Sequence, residues 1–153
     1  LDWSAYGKYS TNLFTQEAVN IIQRHNASKP MFMYLAHLAV HSGNADNLVQ
    51  APDDEIAKFA NIDDPDRRTY AAMVSMLDKS VGKVITALRE KRMLENSIVL
   101  FFSDNGAVTH GRLHPNFGSN YPLRGMKNSP WEGATRCVAA IWSPLIKKAS
   151  KSI

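Results

Sequence analysis

With 153 residues, 44% of them hydrophobic and 21% charged, the chain is long enough for one domain with a real core and too apolar to stay disordered. Its 18 basic and 14 acidic residues leave a formal charge of +4, spread along the sequence. The dense basic patch with interleaved aromatics that nucleic-acid binding requires is missing, so no nucleic acid is expected as a partner. No stretch reaches the ~18 apolar residues of a membrane span, and the single cysteine, Cys137, excludes an internal disulfide.

Residues 14–25 place Phe14, Ala18, Ile21 and Ile22 on one helical face, with Thr11 or Asn12 as the expected cap. Asn26-Ala27-Ser28, in the polar break that follows, is an N-glycosylation sequon and makes Asn26 a candidate glycan site on a secretory route. The run "MFMYLAHLAV" (31–40) reads as a strand buried on both faces, and "HSGNADNLVQAPDD" after it as loop.

Asp64-Pro65-Asp66 is a helix start, an acid at the cap and proline in the first turn. It launches a helix over roughly 66–92 whose apolar stripe is Tyr70, Met73, Val74, Leu77, Val81, Val84, Ile85 and Leu88, with close packing expected at Gly82. A second strand, "SIVLFFS", leads into a Gly-, Asn- and Pro-rich loop from Asp104 to about Gly133, and a last strand, "TRCVAAIWSP", follows. Cys137 is expected to be inert packing inside it. The basic end, "IKKASKS", reads as a solvated tail. Helices alternating with strands predict an α/β fold with a mainly parallel sheet flanked by helices.

In open α/β sheets, ligands bind beyond the carboxyl ends of the strands. Here the first strand ends at His41, with His37 four residues earlier, and the second at Asp104-Asn105. A carboxylate followed by an amide offers hard oxygen ligands to Mg²⁺ or Ca²⁺, although "DNG" also serves as an ordinary turn. His41 reads equally as a capped loop residue. His110 and His114 lie in the long loop, where a zinc site on them has little support. Arg124, Lys127 and Arg136 stand on a glycine- and tryptophan-rich stretch, where cations can bind an oxyanion or simply face solvent.

Five segments, "YSTNLFT", "MFMYLAHLAVH", "YAAMVSMLDKSVGKV", "FFSDNGAVT" and "PLRGMKNSPWEGATR", occur in order. Together they resemble the middle of a type I sulfatase, closest to the arylsulfatase B (N-acetylgalactosamine-4-sulfatase) branch. That resemblance implies part of an alkaline-phosphatase-like sandwich, with residues 1–153 as the central part of a catalytic domain and with sulfate esters, of sugars or aryl groups, as substrate. It implies a lysosomal or secreted setting. It further implies that Asp104 and Asn105 ligate one Ca²⁺, that His41 contacts the sulfate and assists the leaving group, and that Lys127 binds the sulfate oxygens. Arg124, Trp131, Glu132, Gly133 and Arg136 would then be structural or pocket-shaping.

The family's nucleophile is a formylglycine made from the cysteine of a C-x-P-S-R motif, and these 153 residues contain no such motif. The expectation is therefore an internal fragment, inactive alone, whose remaining calcium ligands lie elsewhere. The loops after His41 and between "SDNG" and "PLRG" are longer than the family's usual ones, which leaves sugar specificity open. A phosphoesterase of the same superfamily and a truncated, non-catalytic copy are the alternatives.

Overall fold

The computed structural model describes residues 3–111 and 114–146. Its frame is a pair of packed helices, α1 (Ser10–Arg24) and α3 (Pro65–Glu90), with the four-residue helix α2 (Asp53–Ile56) between them in sequence. Strand β1 (Val99–Phe102), the four-residue helix α4 (Glu132–Thr135) and strand β2 (Ala139–Trp142) follow, and among the described residues three single 3-10 turns (Trp3–Ala5, Ala57–Phe59 and Leu94–Asn96) complete the elements. The basic tail beyond 146 lies outside the described residues.

The long helix begins where its cap signal predicts. The Arg67 amide donates to Asp64 Oδ1 at 2.7 Å and Pro65 fills the first turn; such a cap is worth ~1 kcal/mol. Its fully buried positions are small or flexible side chains, Ala72, Met73, Met76, Ser80 and Ala87. Val74 is exposed, and the rest of the expected stripe is half-buried. Gly82 corrects the expectation of close packing, because a β-carbon there would meet nothing within 4 Å.

Helix α1 begins a turn earlier than periodicity suggests and buries a different face. Tyr9 occupies the cap position without a side-chain bond, and Thr11, Thr15, Ala18 and Ile22 are buried while Phe14 and Ile21 stay partly exposed. Threonine is tolerated there because its hydroxyl is satisfied. Thr15 Oγ1 lies 2.6 Å from Ser80 Oγ on α3, and Ser80 Oγ lies 3.0 Å from His37 Nε2. The chain ends on the Thr11 carbonyl, which only accepts. Thr15 therefore donates to that carbonyl, Ser80 to Thr15, and His37 Nε2–H to Ser80. This assignment leaves His37 Nδ1 as a bare lone pair, buried without a partner. Burial accordingly holds the His37 imidazole below its ordinary pKa.

A second polar cluster joins α2 to α3. The Glu55 carboxylate, 2% exposed, accepts from Lys58 Nζ at 2.6 Å, from Lys79 Nζ, and from Ser75 Oγ at 2.6 Å. Those donors, Lys58 first, hold its pKa at about 2.

The run from 31 to 38 is extended, with residues alternating between half-buried and exposed, but it forms no ladder among the described residues. Its pleat points Met31, Met33, Leu35 and His37 inward and leaves Phe32, at 95% exposure, Tyr34 and Leu38 outward. The hydrogen-bonded sheet among the described residues is β1 with β2, Val99 opposite Trp142 through Phe102 opposite Ala139. That pairing is antiparallel, where strict alternation suggests parallel neighbours. The alternation rule applies to strands linked by a crossover helix, and the described residues of the long connection from β1 to β2 hold only four in an α-helix. Both strands expose most of their side chains rather than burying them. Cys137 is half-buried just before β2, its thiol donating to the Thr135 carbonyl at 3.4 Å.

The loop after β1 is held by backbone contact. The Gly106 amide donates to the Ala134 carbonyl at 2.9 Å and the Gly133 amide to the Arg124 carbonyl at 2.7 Å. A β-carbon on Gly106 would overlap the Gly133 carbonyl, and one on Gly133 would overlap that of Gly125. Glycine is required at both positions for close approach, not for turning.

Two outcomes follow for the isolated chain. Glu55 contributes stability fully above its ordinary pKa of 4.5, and loses it as pH falls toward about 2. The neutral His37 adds a second loss that begins as pH falls through its ordinary 6.5. Thermal unfolding should therefore show Tm declining from mildly acidic pH and again below 4.5, with the lower step absent in Glu55→Gln; an unchanged lower step in that variant would rule out the cluster as its source. Gly106→Ala should destabilise by ~3 kcal/mol or more, read by denaturant titration. Gly82→Ala, in open space, should match the parent or exceed it.

Candidate functional site

Three separate pieces of chain meet at the end of the extended run. His41 follows the run directly, and its Nδ1 lies 2.8 Å from the Ser42 carbonyl. A carbonyl accepts only, so Nδ1 carries the proton in the neutral ring and Nε2 presents its lone pair. Lys127 Nζ donates toward that Nε2 at 3.4 Å, across 86 residues of sequence. The turn after His41 is closed by the Gly43 amide on the Leu48 carbonyl at 2.7 Å.

Lys127 reaches this point because its backbone is pinned. Its amide donates to the Ala107 carbonyl at 3.1 Å. Asn120 grips the same residue from the other side, accepting from the Ala107 amide at 2.8 Å and donating to the Ala107 and Gly125 carbonyls at 3.0 and 3.1 Å. With the glycine contacts, this locks the loop after β1 to the loop that carries Lys127.

A small cavity, about 30 Å³, is lined by His41, Ser42, Asn105, Gly106, Val108, His114, Asn116 and Lys127. That is about one water's share of liquid volume. His41 and Ser42 also border a larger hollow of about 600 Å³, with Lys8, Tyr9, Gln50 and Met73 among its other lining residues. Burial pushes the Tyr9 phenol above its ordinary pKa, against a smaller pull from its hydrogen bond with Thr11.

Of the sequence-predicted site residues, His41, Asn105 and Lys127 come together. Asp104 stands one residue before the cavity wall, exposed, with no hydrogen bond or ion pair recorded for its carboxylate among the described residues. The other two cations singled out in the sequence, Arg124 and Arg136, have partners elsewhere. The Arg124 guanidinium stacks 3.6 Å above the Trp131 ring, and Arg136 pairs with Glu132 at 3.6 Å on the surface. His37 belongs to the helix-linking chain. His110 Nδ1 lies 2.7 Å from Thr109 Oγ1, and no group of three or more His, Cys, Asp or Glu suited to a metal occurs among the described residues. Asn26 is exposed, and its Oδ1 accepts from the Ser28 amide at 3.0 Å and hydroxyl at 2.8 Å. Asn116 was not legible as a site residue, its only signal being its position in an asparagine- and glycine-rich loop next to "SDNG"; His114 was named only with His110 for a zinc site, and it lines the cavity instead.

The oxygens of Asp104 and Asn105 suit a hard divalent cation such as Ca²⁺ by donor chemistry, and the free Asp104 carboxylate is consistent with that role. Between them they supply at most three of the six to eight oxygens that calcium takes.

A family model for sulfatases matches residues 2–153. The chain is 42% identical over 142 residues to arylsulfatase J of Mus musculus, covering 92% of this chain and 22% of that protein. It is 33% identical over 158 residues to N-acetylgalactosamine-6-sulfatase of Canis lupus familiaris, covering 94% and 28%. Among solved structures, Ps i-CgsB superposes with a TM-score of 0.77 at 37% identity, over 90% of this chain and 28% of that one. The same protein in complex with k-i-k-neocarrahexaose gives 0.76 at 36% identity, over the same shares. The chain thus spans 22% to 28% of the length of these relatives. Its α/β frame is part of an alkaline-phosphatase-like fold, and the chain belongs to the sulfatase family.

Proposed function

We propose that these residues form part of the active site of a sulfuric ester hydrolase. The observation that carries this reading is the convergence of His41, Asn105 and Lys127 on one polar cavity from distant parts of the sequence. The names of the relatives, arylsulfatase J and N-acetylgalactosamine-6-sulfatase, agree with it.

In this reading Lys127 places its ammonium against the sulfate oxygens and opposes the charge that grows on them. His41 keeps Nδ1–H on the Ser42 carbonyl, and as the imidazolium it carries a second proton on Nε2, which it passes to the departing oxygen and so returns to the neutral ring. Asp104 and Asn105 would hold one Ca²⁺, which when bound supplies Lewis-acid polarisation of the sulfuryl group. The nucleophile comes from outside these 153 residues, which lack a C-x-P-S-R motif. The substrate class is a sulfated sugar, of which the N-acetylgalactosamine sulfates of the arylsulfatase B-like branch are one type. A secretory route to the lysosome or the exterior fits the exposed Asn26 sequon.

The test uses the longest natural product containing these residues, assayed with matched aryl sulfate and aryl phosphate esters. Sulfate ester turnover should dominate, and preferred phosphate turnover would transfer the site to phosphoesterase chemistry. Lys127→Ala and His41→Ala should each lower kcat/KM by ~10²-fold or more. Asp104→Ala should weaken calcium affinity and turnover together, whereas Cys137→Ser should leave both intact. A normal rate in Asp104→Ala would remove the metal assignment. A glycosidase-sensitive mobility shift of the secreted protein should disappear in Asn26→Gln, and its persistence would remove Asn26 as the glycan site.

A further inference from the structure

His114 and Asn116 come from the stretch between the Asp104–Gly106 turn and the Lys127 loop, and neither has a role in the chemistry above. Asn116 is held on three sides. Its amide donates to the Val108 carbonyl at 3.0 Å, its Nδ2 to the Val40 carbonyl at 3.1 Å, and its Oδ1 accepts from the Gly118 amide at 3.2 Å. Arg67 of α3 adds a hydrogen bond to the Phe117 carbonyl. The Val40 contact is decisive, because it fastens this stretch to the residue before His41. Two residues upstream, His114 has a left-handed backbone, φ 50°, uncommon for a side-chain-bearing residue. Its ring is exposed at the wall of the cavity shared with His41, Asn105 and Lys127, with no hydrogen bond recorded among the described residues.

We propose that His114 is a specificity-determining residue that hydrogen-bonds a ring hydroxyl of the sugar carrying the sulfate, with Asn116 as the residue that positions it. This rests on the sulfate-ester reading above. A cavity of about 30 Å³ leaves the leaving group outside, at the rim where His114 stands. A neutral imidazole offers one donor and one acceptor, which match a hydroxyl that both donates and accepts. The 4-nitrophenyl group has no hydroxyl to fill both roles. The neighbouring wall residues, Ser42 and Asn116, are likewise polar. His114 therefore selects a saccharide over an aryl group without taking part in bond cleavage.

The experiment compares N-acetylgalactosamine 6-sulfate with 4-nitrophenyl sulfate, using the longest natural product containing these residues. His114→Ala should raise KM for the sugar sulfate ~10-fold, leave its kcat within about 2-fold, and leave both constants for the aryl ester unchanged. Asn116→Ala should reproduce that pattern, and His114→Gln should recover part of the loss. Equal losses on both esters, or none on either, would overturn the assignment. If neither ester is hydrolysed, the functional reading fails, and titration calorimetry with the sugar sulfate and inorganic sulfate judges His114 separately. Weaker binding of the sugar sulfate alone in His114→Ala supports its role. Equal effects on the two ligands, or no sugar-sulfate binding by the parent protein, refute it.

Discussion

The pairing of His41 with Lys127 depends on two backbones touching where neither carries a β-carbon. Gly106 follows the candidate metal-binding residues, and Gly133 is the second residue of α4. Because their main chains lie in contact, Ala107 is free to be gripped by both Asn120 and the Lys127 amide. Adding one methyl group at either glycine forces the two loops apart. Every distance in the site is then set by something other than hydrogen-bond geometry. The cavity is small and polar because those main chains meet before any side chain can intervene.

The helical frame performs a separate task, holding the extended run so that His41 arrives at the same place each time. Here the protein uses polar contacts in what is otherwise an apolar interface. Ile22, Ala18, Ala72 and Met76 supply burial, which has no direction. The Thr15–Ser80–His37 chain supplies direction, and Glu55 does the same for the short helix α2. Each arrangement keeps a charged or titratable group where water is scarce, which is why acid weakens both.

How much of this could be read from the sequence differs by element. The long helix was legible to within two residues because its cap, Asp64-Pro65, is a local signal that needs no tertiary partner. The face of α1 was not legible because periodicity counts apolar side chains, whereas this face buries two threonines, and the Thr15 hydroxyl is satisfied from α3 and its own helix backbone. The run 31–40 looked like a doubly buried strand on composition. Its ladder partners depend on chain pairing, which composition does not encode. In the site, His41, Asn105 and Lys127 stood out through ordered motifs. Asn116 did not, since its placement follows from one side-chain bond to Val40 across 76 residues, and His114 stood out only as a weak zinc candidate. Gly106 was visible as a turn residue, but its contact with Gly133 was not.

The alternation along 31–38 makes the His37 contact an indexing pin. A strand that slips by one residue exchanges its two faces. Here such a slip would bring Phe32, Tyr34 and Leu38 inward with little loss of apolar contact, and hydrophobicity alone would scarcely object. The imidazole is the one inward side chain whose partner, Ser80, has no substitute a residue away. The unsatisfied His37 Nδ1 is thus the cost of a mark that counts residues, and what it counts toward is His41, four positions later.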